Sequence, residues 1–238
     1  NMIVFIHLFN DWSCSPRVLA SAIFALTRSL HNSRLFIGSC GSGTLDETKI
    51  ATTRYWYQRT PYKILTLLTF FISQIALLTS LFRAKDIPKD AIIYVNTLLP
   101  FGGALFGWIT GRKVIYHLHE VSISPKLFQS FLKGVVQLTA SKVIYVSNYH
   151  KANLPLRGID SCVVYNSIGD SIFEQASNHR YEHRHHGLFN VLMVASLRDY
   201  KGIPEFIALS TRLSIRDDIR FDLVINDDND AIRRYFCS

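Results

Sequence analysis

The chain has 238 residues, 48% hydrophobic and 18% charged, with a net charge of +8. This is a globular composition, long enough for one large domain or two modest ones. The basic surface suits phosphorylated ligands or anionic membranes; nucleic acid is argued against, because the lysines and arginines are not gathered into a nucleic-acid signature.

The four cysteines, Cys14, Cys40, Cys162 and Cys237, are far apart and form no CxxC. They read as reduced thiols of a cytosolic protein, not as a disulfide frame or a zinc site. Met2 to Phe9 is apolar but lacks a basic flank and a cleavage site, so it reads as a first strand, Met2 to Leu8, rather than a signal peptide. A polar turn, Phe9 to Pro16, precedes a helix from about Arg17 to Leu30, whose Val18, Ala22, Ala25 and Leu26 share a face. The loop after the first strand has no G-x-G-x-x-G, which argues against a dinucleotide-dependent oxidoreductase. Leu35 to Gly38 is a second short strand, and Gly41 to Gly43 with the polar residues after them form a loop.

Thr60-Pro61 fits an N-cap and first helical position. Ile64 to Phe82 is then nearly continuously apolar, with Lys63 before it and Arg83 and Lys85 after. Three readings stand: a short transmembrane helix, an interfacial helix held to anionic lipid by its basic flanks, or a buried helix covering a sheet. Ser73, Gln74 and further threonines and serines weaken the spanning reading. Alternation then becomes regular. Strands are expected at Ala91 to Val95, Lys113 to His117, Lys142 to Val146 and Cys162 to Tyr165. Helices are expected at Leu99 to Thr110 and Lys126 to Ala140, and Ser147 caps a short one. Such alternation means a parallel sheet with helices on both faces.

Ile168 to Leu188 is polar and contains His179, His183, His185 and His186. Their spacing can bind metal, but no cysteine or carboxylate-rich partner is nearby, and a solvated interdomain linker is the expectation. A second domain opens at Asn190. Asn190 to Ala195 fits a strand buried on both faces, Ser196 to Tyr200 a loop, and Lys201-Gly202 the start of a helix. A strand at Arg220 to Ile225 and an acidic helix start at Asp227 to Asp230 follow.

Three places carry candidate chemistry. In Ile115 to Pro125, alternate side chains of a strand share a face, so His117 and His119 point one way while Tyr116 and Leu118 point the other. At the carboxyl end of a mid-sheet strand they lie where ligands bind. A neutral imidazole there bonds a sugar hydroxyl, and a protonated one balances phosphate; a pair satisfied by backbone groups is the plain alternative. The loop Asn10 to Arg17, with Asp11, Ser13 and Ser15, lies at the same edge. At Lys201-Gly202 a helix N-terminus and a lysine together make an anion site, against the alternative of an ordinary βα unit with a solvated lysine.

The segments FNDWSCSPRVL, YHLHE, IYVSNYH, VVYNSI and VLMVASLRDYKG, in this order, resemble the GT-B fold glycosyltransferases of the group 1 type, also called family 4. The resemblance implies a doubly wound, Rossmann-like N-terminal domain over 1–168, a linker over 169–189, and an incomplete nucleotide-sugar-binding domain over 190–238. It implies that His119 is the catalytic-site histidine and that Lys201 and Gly202 hold the donor diphosphate. Ser196 stands where the family usually has arginine, and Arg198 is a nearby substitute. Asn10 to Arg17 takes the place of the donor and acceptor loop, without its glycines. His117, Glu120 and Asn166 are further candidates. The implied reaction is retaining and metal-independent, with a nucleotide-sugar substrate, no cofactor, and a glycan or lipid-linked acceptor of the cell envelope. The enzyme is expected in the cytoplasm, peripheral at the inner membrane. The family's paired glutamates of the second domain are not in this sequence, so the alternative is an inactive fragment serving as a binding or membrane-associated module.

Overall fold

The computed structural model describes residues 2–27, 32–121, 123–179, 187–198, 201–225, 232, 235 and 236. The chain divides into two units, Asn1–Phe173 and Glu174–Ser238.

The first unit is built on seven parallel strands: β1 (Ile3–His7), β2 (Ser33–Gly38), β3 (Ala51–Tyr55), β4 (Ile92–Asn96), β5 (Val114–Leu118), β6 (Lys142–Tyr145) and β7 (Asp160–Val163). Their order across the sheet is β3-β2-β1-β4-β5-β6-β7. The order reverses between β1 and β4, which pair from Ile3 opposite Ile92 to Ile6 opposite Val95. A doubly wound sheet leaves a crevice at such a reversal, outside the carboxyl ends of the strands.

Among the described residues, helices α1 (Cys14–Thr27), α2 (Lys63–Arg83), α3 (Phe101–Ile109), α4 (Lys126–Thr139) and α5 (Asn148–Asn153) accompany the strands, and α6 (Asp170–Asn178) spans the division between the units. Strand alternation sorts the core into two layers. Ile3 and Phe5 of β1 and Leu35 and Ile37 of β2 pack with Leu19 and Ile23 of α1. Val4 and Ile6, on the other face, pack with Leu77 of α2, Ala104 of α3 and Val136 of α4. Every residue of β1 is buried, which explains its unbroken apolar run.

Several elements depart from expectation. β3, ATTRY, was expected to be loop; an edge strand covered on one side keeps polar residues, and four of its five are not fully buried. Helix α1 begins at Cys14 rather than Arg17, because the Asp11 carboxylate accepts the Ser13 N–H at 2.9 Å and turns the chain early. Pro16 is tolerated in that first turn, where no intrahelical acceptor is needed. Helix α2 begins at Lys63, with Tyr62 as its cap, not at Thr60-Pro61. Thr60 instead donates its N–H to the Thr66 hydroxyl at 3.1 Å. Ser147 caps α5 as expected, its hydroxyl accepting the His150 N–H at 3.0 Å. The polar stretch after Ile168 includes α6.

In the second unit β8 (Phe189–Ala195) pairs in parallel with β9 (Ile219–Ile225), connected through α7 (Ile203–Arg212). Phe206 of α7 meets Phe221 of β9 edge to face at 5.6 Å. β8 is not buried on both faces: Leu192 and Val194 are exposed, because α7 covers one face only. The acidic helix start at 227–230 lies outside the described residues.

Candidate functional site

The carboxyl ends of β1, β4 and β5 bring polar side chains together at the strand-order reversal. His7 ends β1, Asn96 ends β4, and His117 and His119 lie at and just past the end of β5. All four project to the α1 side of the sheet, as the register of Phe5, Tyr94 and Ile115 in that layer requires. The Asn96 carboxamide is the hub. Its Nδ2 donates to the Ser15 carbonyl at 3.2 Å and lies 3.1 Å from His7 Nδ1. Its Oδ1 lies 2.9 Å from His119 Nε2. The Ser15 carbonyl can only accept, so it fixes which way the amide points. Oδ1 must then accept, and His119 carries its proton on Nε2.

Burial keeps these imidazoles uncharged. It pushes His119 down to about 3, with His117, His7 and His150 adding like-charge repulsion. His117 falls to about 4, again through burial first and His150 second. His7 falls to about 4 through burial, against the opposing pull of the Asn96 carbonyl and Asp11. A neutral His119 with its proton on Nε2 has a lone pair on Nδ1, and no described residue donates to it. The ring therefore presents an acceptor nitrogen rather than a positive charge. The His117 ring lies tilted beside it, centroids 4.4 Å apart, and its Nδ1 meets the Tyr94 hydroxyl at 2.7 Å. Among the described residues, His7 Nε2, His117 Nε2 and Asn10 Nδ2 are buried and unpartnered. Buried polar atoms of this kind ask for a ligand or water to complete them.

Thr97 follows the hub with φ at +76°. This is left-handed backbone, rare for a β-branched residue, and such strain is a feature of sites over-determined by their surroundings. The Thr97 N–H donates to the His117 carbonyl at 2.8 Å. Glu120 is held behind it: its carboxylate accepts the Leu98 N–H at 3.2 Å, and burial raises its pKa. Glu120 thus braces the Thr97–Leu98 turn.

The side chains of the loop after β1 bond in part to nearby backbone groups. Asn10 is buried and its Oδ1 accepts the Leu45 N–H at 3.1 Å. Asp11 and Ser13 are spent on starting α1. Ser15 takes part through its carbonyl, and Arg17 is exposed in the first turn of α1. Asn166 reaches the same turn, its Nδ2 lying 3.8 Å from Cys14 Sγ. The glycines missing from this loop are supplied by a neighbour: a Cβ on Gly43 would come within 2.4 Å of the Asp11 backbone. On the α2 side of the sheet, at the same carboxyl edge, a cavity of about 830 Å³ is walled by Leu8, Phe9, Phe70 and Phe128, with Arg59 and Lys63 at its margin.

In the second unit Ser196, Arg198, Lys201 and Gly202 lie together between β8 and α7. Lys201 N–H donates to the Arg198 carbonyl at 3.0 Å and Arg198 N–H to the Ser196 carbonyl at 2.8 Å. Gly202 caps α7 at φ +85°, a conformation that favours glycine. Lys201 is exposed at that cap. The Arg198 guanidinium donates to the Leu197 carbonyl at 2.9 Å, and Glu205 places one carboxylate in the first turn of α7. His183, His185 and His186 lie outside the described residues, and no group of three metal-ligating side chains is found among the described ones.

His7, Asn96 and Thr97 were not singled out from sequence. The signal was present: each is a polar residue ending an apolar strand run, the same pattern that marked His117 and His119.

No protein-family model and no curated protein matches the chain. Solved structures do. Anabaena Alr3699/HepE, in complex with UDP and glucose, is 17% identical with a TM-score of 0.64, over 99% of this chain and 64% of that one. An α,α-trehalose-phosphate synthase (UDP-forming) from Burkholderia vietnamiensis is 14% identical with a TM-score of 0.67, over 99% and 67%. The lipopolysaccharide outer core galactosyltransferase WaaB, in its apo form, is 13% identical with a TM-score of 0.62, over 99% and 64%. The chain thus spans about two thirds of the length of these proteins. At such identities the likeness is one of architecture, and by that architecture the chain has the Rossmann-like α/β fold of the GT-B glycosyltransferases.

Proposed function

We propose that the chain serves glycosyl transfer from a nucleotide-sugar donor. The observation that carries this reading is His119, neutral, oriented by Asn96, and set at the strand-order reversal with an acceptor nitrogen to offer. A sugar hydroxyl is the partner for that nitrogen. Fold neighbours that hold UDP support a nucleotide-sugar as the ligand. Lys201 and the α7 N-terminus supply the positive potential for the donor diphosphate. Stabilising that leaving group as its charge develops is the main electrostatic device of such a reaction. The reaction needs no metal in this reading, because ammonium and helix-dipole charge take the place of a cation.

The acceptor is lipid-linked rather than a free glycan. The cavity beside β1 pairs an apolar wall with Arg59 and Lys63, which matches an amphiphile whose chain is hydrocarbon and whose head carries phosphate. A lipid-linked acceptor of this kind is consistent with a role in envelope glycan assembly.

Calorimetric titration of the chain with UDP-glucose, UDP-N-acetylglucosamine and GDP-mannose tests the donor reading. One of them is expected to bind, and Lys201→Ala is expected to weaken it about tenfold or more, the worth of a charge-assisted phosphate contact. Absence of binding by all three, or equal binding by the variant, overturns it.

A further inference from the structure

Helix α2 buries part of its polar side and shows a wide apolar face to solvent. A helix on the surface of a soluble domain turns its polar side to water. Here Thr69, Ser73 and Gln74 are turned inward beside Phe70, Leu77 and Leu81, at 9%, 0% and 3% exposure. They are bonded there. Thr69 donates to the Gln58 carbonyl, Ser73 to the Phe70 carbonyl, and Gln74 Oε1 accepts the Gly102 N–H at 3.0 Å. Outside, Ile64, Leu68, Ile72 and Ile75 are 79%, 56%, 52% and 63% exposed. Their spacing lays them in one stripe along the helix. The stripe continues onto α4, where Phe131 meets Phe71 at 5.9 Å. Leu127, one turn earlier, is 83% exposed.

Charge completes the pattern. Helices α2, α3 and α4 contain no aspartate or glutamate, while Lys63, Arg83, Lys126 and Lys133 lie on them. Lys63, Arg83 and Lys126 are exposed at helix ends, with Arg59 and Lys85 just beyond. Of the carboxylates nearest in sequence, Asp86 pairs with Arg34, Glu120 is held by Leu98 N–H, and Asp90 is exposed beyond the end of α2. An apolar stripe rimmed by cations is complementary to acyl chains beneath anionic headgroups. A second copy of the same face would instead oppose cation to cation.

We propose that the α2–α4 face docks on an anionic phospholipid bilayer, with α2 lying in the interface plane. The helix does not cross the bilayer, because its polar side is bonded into the domain. This inference does not require the glycosyl-transfer reading, although Arg59 and Lys63 also line the cavity given there to the acceptor.

Sedimentation of the 238-residue chain with vesicles tests it. Binding to phosphatidylcholine vesicles containing phosphatidylglycerol is expected to exceed binding to phosphatidylcholine alone by about tenfold, and to weaken with salt. Leu68→Glu with Ile75→Glu should reduce it about tenfold or more by placing charge in the acyl region. Arg83→Glu with Lys126→Glu, which leaves the apolar stripe intact, should remove the preference for anionic vesicles. Phe24→Glu, on α1 at the opposite face, should change neither. Equal binding to both vesicle types overturns the proposal. So does equal loss with Phe24→Glu, or a soluble dimer that Leu68→Glu with Ile75→Glu converts to monomer.

Discussion

An amide can hold an imidazole in one tautomer without lending it charge, and Asn96 does this for His119. The Ser15 carbonyl orients the amide, the amide orients the ring, and burial keeps the ring neutral. The chain of cause runs from one backbone carbonyl to the acceptor nitrogen offered to ligand. Asn96→Asp would place a carboxylate 2.9 Å from His119 Nε2 and beside His7. An opposite charge at that distance favours the protonated ring, so the His119 titration should rise by about one unit or more. Imidazole NMR titration measures it; an unchanged midpoint would show that Asn96 is not the partner. The histidine pair was legible because strand alternation sets which side chains share a face. Its hub was not, since nothing local says that residue 96 lies opposite residue 119.

At the scale of elements, α3 shows how small residues set spacing. A Cβ on Gly102 would come within 2.6 Å of the Gln74 carbonyl of α2. A backbone atom cannot rotate away, so α2 must shift. Gly102→Ala should therefore destabilise by about 1–2 kcal/mol, since overpacking at roughly 1–3 kcal/mol exceeds the helix-propensity gain of about 1. Gly134, in α4, has nothing within 4 Å of the same added atom. Gly134→Ala should stabilise by up to about 1 kcal/mol from propensity alone. Denaturant midpoints of the two variants should move in opposite directions; movement in the same direction refutes the packing argument. The small residues of α3 announced close packing in the sequence. The partner they approach, and the apolar outer face of α2 above them, were not announced. Periodicity records that a helix has two sides without saying which is covered.

Across the whole first unit, three neutral imidazoles at one sheet edge couple stability to pH. His7 and His117 titrate at about 4 and His119 at about 3 when folded, all below the 6.5 of an unperturbed histidine. The unfolded chain therefore binds more protons between these limits, and stability rises with pH there. The sign is a loss on acidification: it begins as pH falls through about 6.5 and is complete only below the folded values. Unfolding near pH 5 should take up about one proton for each of these rings, with the buried His150 adding in the same direction, and His7→Phe should remove about one. Melting temperatures between pH 7 and 4.5 check this, and a flat profile would mean that the rings are not buried as neutral groups. Much of this architecture was readable from composition and order alone. Apolar runs alternating with amphipathic segments dictate a parallel α/β sheet. A residue's neighbours along the chain govern its local conformation, so strands, helices and turns follow from sequence to within a few positions. β3 escaped because an edge strand need not be apolar. Convergence is different in kind: residues 7, 15, 96 and 119 meet because the sheet crosses over between β1 and β4, and that crossing is decided by the packing of whole layers.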